Sequence, residues 1–94
     1  MSQYQAGDLI RHSAGRAFRL REDPYTHEVE RPEQKIAKLL ARQVYGSSGY
    51  VATVAVDGDR QTGVTEFKAV IAQRRAGDGP RDGIPVKFSI YHEA

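Results

Sequence analysis

His12, His27 and His92, five serines and twelve carboxylates are the side chains of this 94-residue chain that could do acid–base or nucleophilic chemistry. Their spacing does not assemble them. His27-Glu28 and His92-Glu93 lack the second histidine, four residues on, that a helical zinc-protease motif needs. Histidines so far apart in sequence read as ordinary exposed groups. None of the serines lies in Gly-x-Ser-x-Gly, and Ser47-Ser48 falls between a helix and a strand, the reverse of a nucleophile elbow. Asp57-Gly58-Asp59 opens like a calcium loop, but the twelfth position is Lys68, where a bidentate glutamate is required. AGDGPRDG, residues 76–83, has the glycines of a phosphate loop without its Gly-Lys-Ser/Thr ending or a helix to follow, and Asp78 and Asp82 would oppose phosphate. We expect no enzyme, no metal and no cofactor.

Binding chemistry is better represented. Ten of the fourteen cations are arginine, whose planar fork suits carboxylate and phosphate. Arg19, Arg21, Tyr25, Arg74, Arg75, Arg81 and Tyr91 are the side chains expected to meet a protein partner, as Arg and Tyr are the residue types that dominate interface energetics. A second set points to nucleic acid. Lys35, Lys38 and Arg42 share one side of a helix, Arg74 and Arg75 form a second basic focus, and Tyr45 and Tyr50 flank the intervening connector where they could stack on bases. Against this, the net charge is only +2 and Glu22 to Glu33 form an acidic stretch just before the helix. Three cations on a helix are also what any solvated face shows.

Strands and one helix must position these groups. Ile84, Val86, Phe88 and Ile90 alternate with Pro85, Lys87, Ser89 and Tyr91, the period of a half-buried strand. Phe67, Ala69 and Ile71 oppose Glu66 and Lys68 in the same way. Tyr50 to Val56 is apolar on both faces and reads as a central strand. Asp57-Gly58 is a hairpin signal. Arg16 to Arg21 reads as a strand with a basic outer face, Leu9-Ile10 as a short edge strand or packed arm, and Tyr25, His27 and Val29 as a returning strand. Pro32 opens a helix over Pro32 to Tyr45, with Ile36, Leu39, Leu40, Gln43 and Val44 as its buried stripe and Gly46 as its cap. The expected fold is α+β, one helix on one face of a four- to five-stranded antiparallel sheet in the order β(β)αβββ. Its core is expected from Ile36, Leu39, Leu40, Val44, Val54, Val56, Phe67, Ile71, Val86, Phe88 and Ile90. The opposite face, with Arg19, Arg21, Glu66, Lys68, Lys87 and Tyr91, should be wet or covered by a partner.

The length suits one domain, residues 1–94, with residues 1–8 able to form a flexible arm. No cysteine is present, which excludes disulfides and thiolate sites and favours the cytoplasm. No apolar run is long enough to span a bilayer, so no membrane partner is expected. A homodimer is compatible with the pattern.

The strand–helix–strand–strand–strand order is loosely similar to double-stranded-RNA-binding folds, but the second helix and its Lys-rich start are missing and no residue is carried over. In size and style the chain resembles small phage or mobile-element proteins, anti-CRISPR inhibitors among them. That resemblance implies a non-enzymatic protein that acts by occupying a protein partner's surface. The alternative is a nucleic-acid-binding accessory protein that uses the basic helix face.

Overall fold

The computed structural model describes residues 4–24, 31–56, 63–75, 79–80 and 83–92. The elements are β1 (Leu9–His12), β2 (Phe18–Arg19), α1 (Pro32–Tyr45), a 3-10 turn (Gly46–Ser48), β3 (Gly49–Val56), β4 (Val64–Arg75), β5 (Gly79–Pro80) and β6 (Ile84–Tyr91). All pairings are antiparallel, in the order β2-β1-β6-β4-β3, with the two-residue β5 pairing to the far end of β4. One helix packed on one face of this sheet is the expected α+β architecture. The proposed strand through Tyr25, His27 and Val29 and the Asp57-Gly58 turn lie outside the described residues.

Helix α1 begins with Pro32 at its first positions and Arg31 in extended geometry before it. It ends at Gly46, whose N–H reaches the Arg42 carbonyl. Gly46 has φ 67° and ψ −151°, a region open essentially only to glycine rather than the left-handed helical cap. The buried stripe is Glu33, Ile36, Ala37, Leu40 and Ala41. It is rotated from the expected one toward the two alanines, and the reason is close approach. A Cβ on Gly49 would lie inside the van der Waals shell of the Ala41 carbonyl, so β3 passes directly under that turn of the helix. Leu39 and Val44, expected in the core, are therefore 38% exposed at its margin.

Strand β3 is an edge strand, not a central one. The register slips by one residue between Val51 and Thr53, a bulge at Ala52. Val51 opposes Ile71, Val54 opposes Ala69 and Val56 opposes Phe67, so residues of mixed parity share the helix-side face. Apolarity on both faces here reflects this bulge and small exposed residues, not burial on both sides. Val56, at the strand's end, is 41% exposed. The central places belong to β6 and β4, whose Phe88 and Phe67 are register partners with rings stacked 4.4 Å apart.

The core is Tyr4, Ile10, Leu20, Ile36, Ala37, Leu40, Ala41, Phe67, Ala69, Ile71, Val86, Phe88 and Ile90. Tyr4 and Asp8 are fully buried, with Gln5 to Gly7 exposed between them. Leu40→Ala removes a side chain from the centre of this core and is expected to cost about 2–5 kcal/mol. Gly49→Ala should lower stability as well, although it removes nothing, because the helix must move off β3. Urea unfolding of both variants tests the packing, and a Gly49→Ala protein as stable as wild type would contradict the close approach.

Candidate functional site

Lys38 and Arg42 on α1, Ser47 to Gly49 in the turn, Tyr50 on β3 and Arg74 on β4 line one depression of about 260 Å³. The local cause is the short connector. Three residues separate helix from strand, so the C-terminal half of α1 must sit over the start of β3. Register then puts Tyr50 opposite Ala72, and alternation along β4 brings Arg74 to the same face. The Arg74 guanidinium lies 5.1 Å from the Tyr50 ring centroid, a cation–π contact. The Ser48 hydroxyl donates to the Tyr45 carbonyl at 3.0 Å, which leaves Ser47 as the exposed hydroxyl of the turn.

Two clusters expected to be separate in sequence therefore meet. Arg75 belongs to the same strand, but its side chain lies outside the described residues, as do Tyr25 and Arg81. Lys35 does not join the corner. It lines a second, open cleft of about 720 Å³ with Arg19, Arg21, Glu22, Leu39 and the Phe18–Leu20 segment. Tyr45 is half-buried and packs against the core, so it is not a free stacking platform. Of the residues expected to meet a protein, Arg19 donates to the Gly7 carbonyl at 3.0 Å, Arg21 is exposed at the cleft, and Arg74 and Tyr91 lie elsewhere on the sheet. That set is divided: Arg19, Arg74 and Tyr91 stand on the sheet face opposite α1, and Arg21 at the cleft.

The bare sheet face carries residues that the sequence placed on a face either wet or covered by a partner, except that Arg21 lies at the cleft. Arg19, Arg11, Lys87, Lys68 and Arg74 share it with one acid, Glu66, among the described residues. Arg11 lies over Tyr91 at 5.6 Å, a second cation–π pair. The signal was available: positions 66, 68, 70, 72 and 74 of one strand point one way.

The histidines are structural in their contacts. His12 Nδ1 accepts the Ala14 N–H at 3.2 Å, so Nε2 carries the proton and donates to the Arg16 carbonyl at 2.7 Å. The ring thus closes the β1–β2 turn and is not an ordinary exposed histidine. His92 joins Asp8 and Thr65: Nδ1 lies 3.1 Å from Asp8 Oδ2, and Nε2 2.7 Å from Thr65 Oγ1. The order carboxylate–imidazole–hydroxyl is that of a nucleophilic triad. Thr65 is only 2% exposed, however, and lines none of the three depressions described on this molecule. The set instead ties both chain ends to β4, with the Tyr4 hydroxyl donating to buried Glu33 beside it at 3.2 Å. His27 lies outside the described residues. Among the described residues, no group of three or more His, Asp or Glu could hold a metal ion, and no helix is long and apolar enough to cross a membrane.

Compared with known proteins, the chain matches no family model, no curated protein and no solved structure.

Asp8 Oδ2 also accepts the Gln5 N–H at 3.1 Å, while buried Oδ1 has no hydrogen-bond partner among the described residues. Asp8→Ala removes both acceptor bonds and should cost roughly 2–4 kcal/mol. Asp8→Asn keeps an acceptor on the occupied side and should cost less. Denaturant unfolding of the two variants checks the ranking, and the reverse order would show that the bonds to His92 and Gln5 are not what Asp8 contributes.

Proposed function

We propose that this protein binds nucleic acid, without catalysing a reaction, through the corner where α1 meets β3 and β4. The observation that carries the reading is the convergence of Lys38, Arg42 and Arg74 on one depression with Tyr50 at its wall. Ammonium and guanidinium groups neutralise phosphates and release counterions, which is the main source of affinity in such complexes. An aromatic ring beside them offers a base a stacking surface. The low net charge is no obstacle, since two of the twelve acids, Asp8 and Glu33, are buried in the fold and cannot oppose a ligand at the surface.

The second reading, a protein that occupies a partner's surface in the manner of a phage or mobile-element inhibitor, draws on the open cleft, where exposed Leu39 sits among Arg19, Arg21 and Lys35. It ranks below the first because its expected contacts are divided between this cleft and the sheet face opposite α1. A cytoplasmic setting, proposed on the absence of cysteine, suits both readings, and a homodimer is compatible with either.

Gel-shift titration with mixed RNA and DNA at 50 mM salt is expected to show retardation that weakens steeply by 200 mM. Lys38→Glu combined with Arg42→Glu should reduce affinity by more than tenfold on every sequence alike, because phosphate contacts carry no base information. Absence of any shift at low salt would overturn the proposal. Recovery of one protein from host lysate, unchanged by nuclease, would then favour the second reading.

A further inference from the structure

The face of the sheet opposite α1 is left uncovered by every described helix and strand, and its chemistry is organised from one end to the other. At one end Tyr50 opposes Ala72 with Arg74 over its ring; at the other Tyr91 opposes Val64 with Arg11 over its ring. Between them Lys68 and Lys87 are direct register partners. Both are exposed on this face, where an anion can reach them. Beside the lysines, Thr53, Ala55, Val70 and Pro85 form an open depression of about 500 Å³. The two tyrosine positions are eight residues apart along β4, or about 27 Å at the rise of an antiparallel strand.

We infer that this face is a platform for single-stranded nucleic acid, entered from the α1–β3 corner. The inference rests on the corner reading and deepens it by naming the form of the ligand. Tyr50 and Tyr91 stack on bases at the two ends, and Lys68 and Lys87 neutralise phosphates between them. Charge complementarity commits the face to a polyanion: five cations stand against the single Glu66 among its described residues. The aromatic rings commit it to single strands, because bases stack on side chains only when they are not paired and stacked in a duplex. The span matches the few nucleotides that one small sheet domain engages, about 4 at the lower limit.

The test is fluorescence anisotropy with a labelled 12-nucleotide oligo-dT, a labelled 12-nucleotide oligo-U and a mixed-sequence duplex of equal length. Wild type is expected to bind the single strands at least tenfold more tightly than the duplex. Tyr91→Ala should weaken single-strand binding about tenfold, within the range for one lost base–aromatic stack. Lys68→Gln with Lys87→Gln should reduce the slope of log K against log salt by about 1.4, two phosphates at about 0.7 each on a single strand. A cooperative thermal transition and a far-UV circular dichroism spectrum like that of wild type verify the fold of this double variant. Tyr91→Phe, which keeps the ring, should bind as wild type. If Lys38→Glu with Arg42→Glu abolishes binding while the sheet variants bind as wild type, the platform is overturned and the corner reading stands. Equal or tighter binding of duplex also overturns the platform alone. No binding of any nucleic acid by wild type overturns both.

Discussion

Strand β6 lies between β1 and β4, and the sheet is continuous only because the C-terminal segment returns to that slot. Its main-chain groups pair on both sides, from Ile84 to Tyr91 with β4 and from Phe88 to Tyr91 with β1. Without it, β1 and β4 would each present an unpaired edge to water or to other chains. The same insertion places Phe88 on Phe67 in the core, Lys87 across from Lys68 on the bare face, and Tyr91 beside Arg11. Core and candidate binding surface are thus the two sides of one strand placement.

The ends of the chain are fixed by that arrangement. His92 follows β6 directly, its N–H reaching the Gly63 carbonyl at 2.8 Å while its ring joins Asp8 to Thr65. Asp8 precedes β1, and its own carbonyl accepts the Leu20 N–H at 3.0 Å. A polar cluster of this kind is costly if incomplete, since an unpaired buried group loses its hydration without return. It accounts for the burial of Tyr4 and Asp8, polar-tipped residues of a polar segment. The hydrogen-bond order is that of a catalytic triad, but the hydroxyl of Thr65 is buried.

Charge is partitioned by the sheet. The chain is nearly neutral in sum, yet the bare face gathers cations from β1, β2, β4 and β6, while Asp8 and Glu33 are withdrawn into the interior. A nucleic acid responds to the local field, not to the sum. One helix of 14 residues covers one side of the sheet, and among the described residues of the other side the charges have a single dominant sign.

The sequence by itself determined the elements. Alternation in Val64 to Ile71 and Ile84 to Tyr91 marked two strands and their inward residues, and Pro32 with Gly46 bounded the helix, because these signals are local and follow from backbone geometry. Which strands neighbour one another was not local. Tyr50 to Val56 looked central, because a bulge and small residues mimic the composition of a strand buried on both faces. The phase of the helix was decided by how closely β3 could approach Ala41, which shifted Leu39 and Val44 to the margin. The candidate site was legible as two lists, Lys38 with Arg42 and Arg74 with Tyr50, but their meeting depends on the length of one three-residue turn and the register of β3 on β4. The cluster of Asp8, Thr65 and His92 had no sequence signal at all: 84 residues separate its ends, and only the packing of both termini against one strand brings an isolated acid, a threonine and a histidine within hydrogen-bond distance.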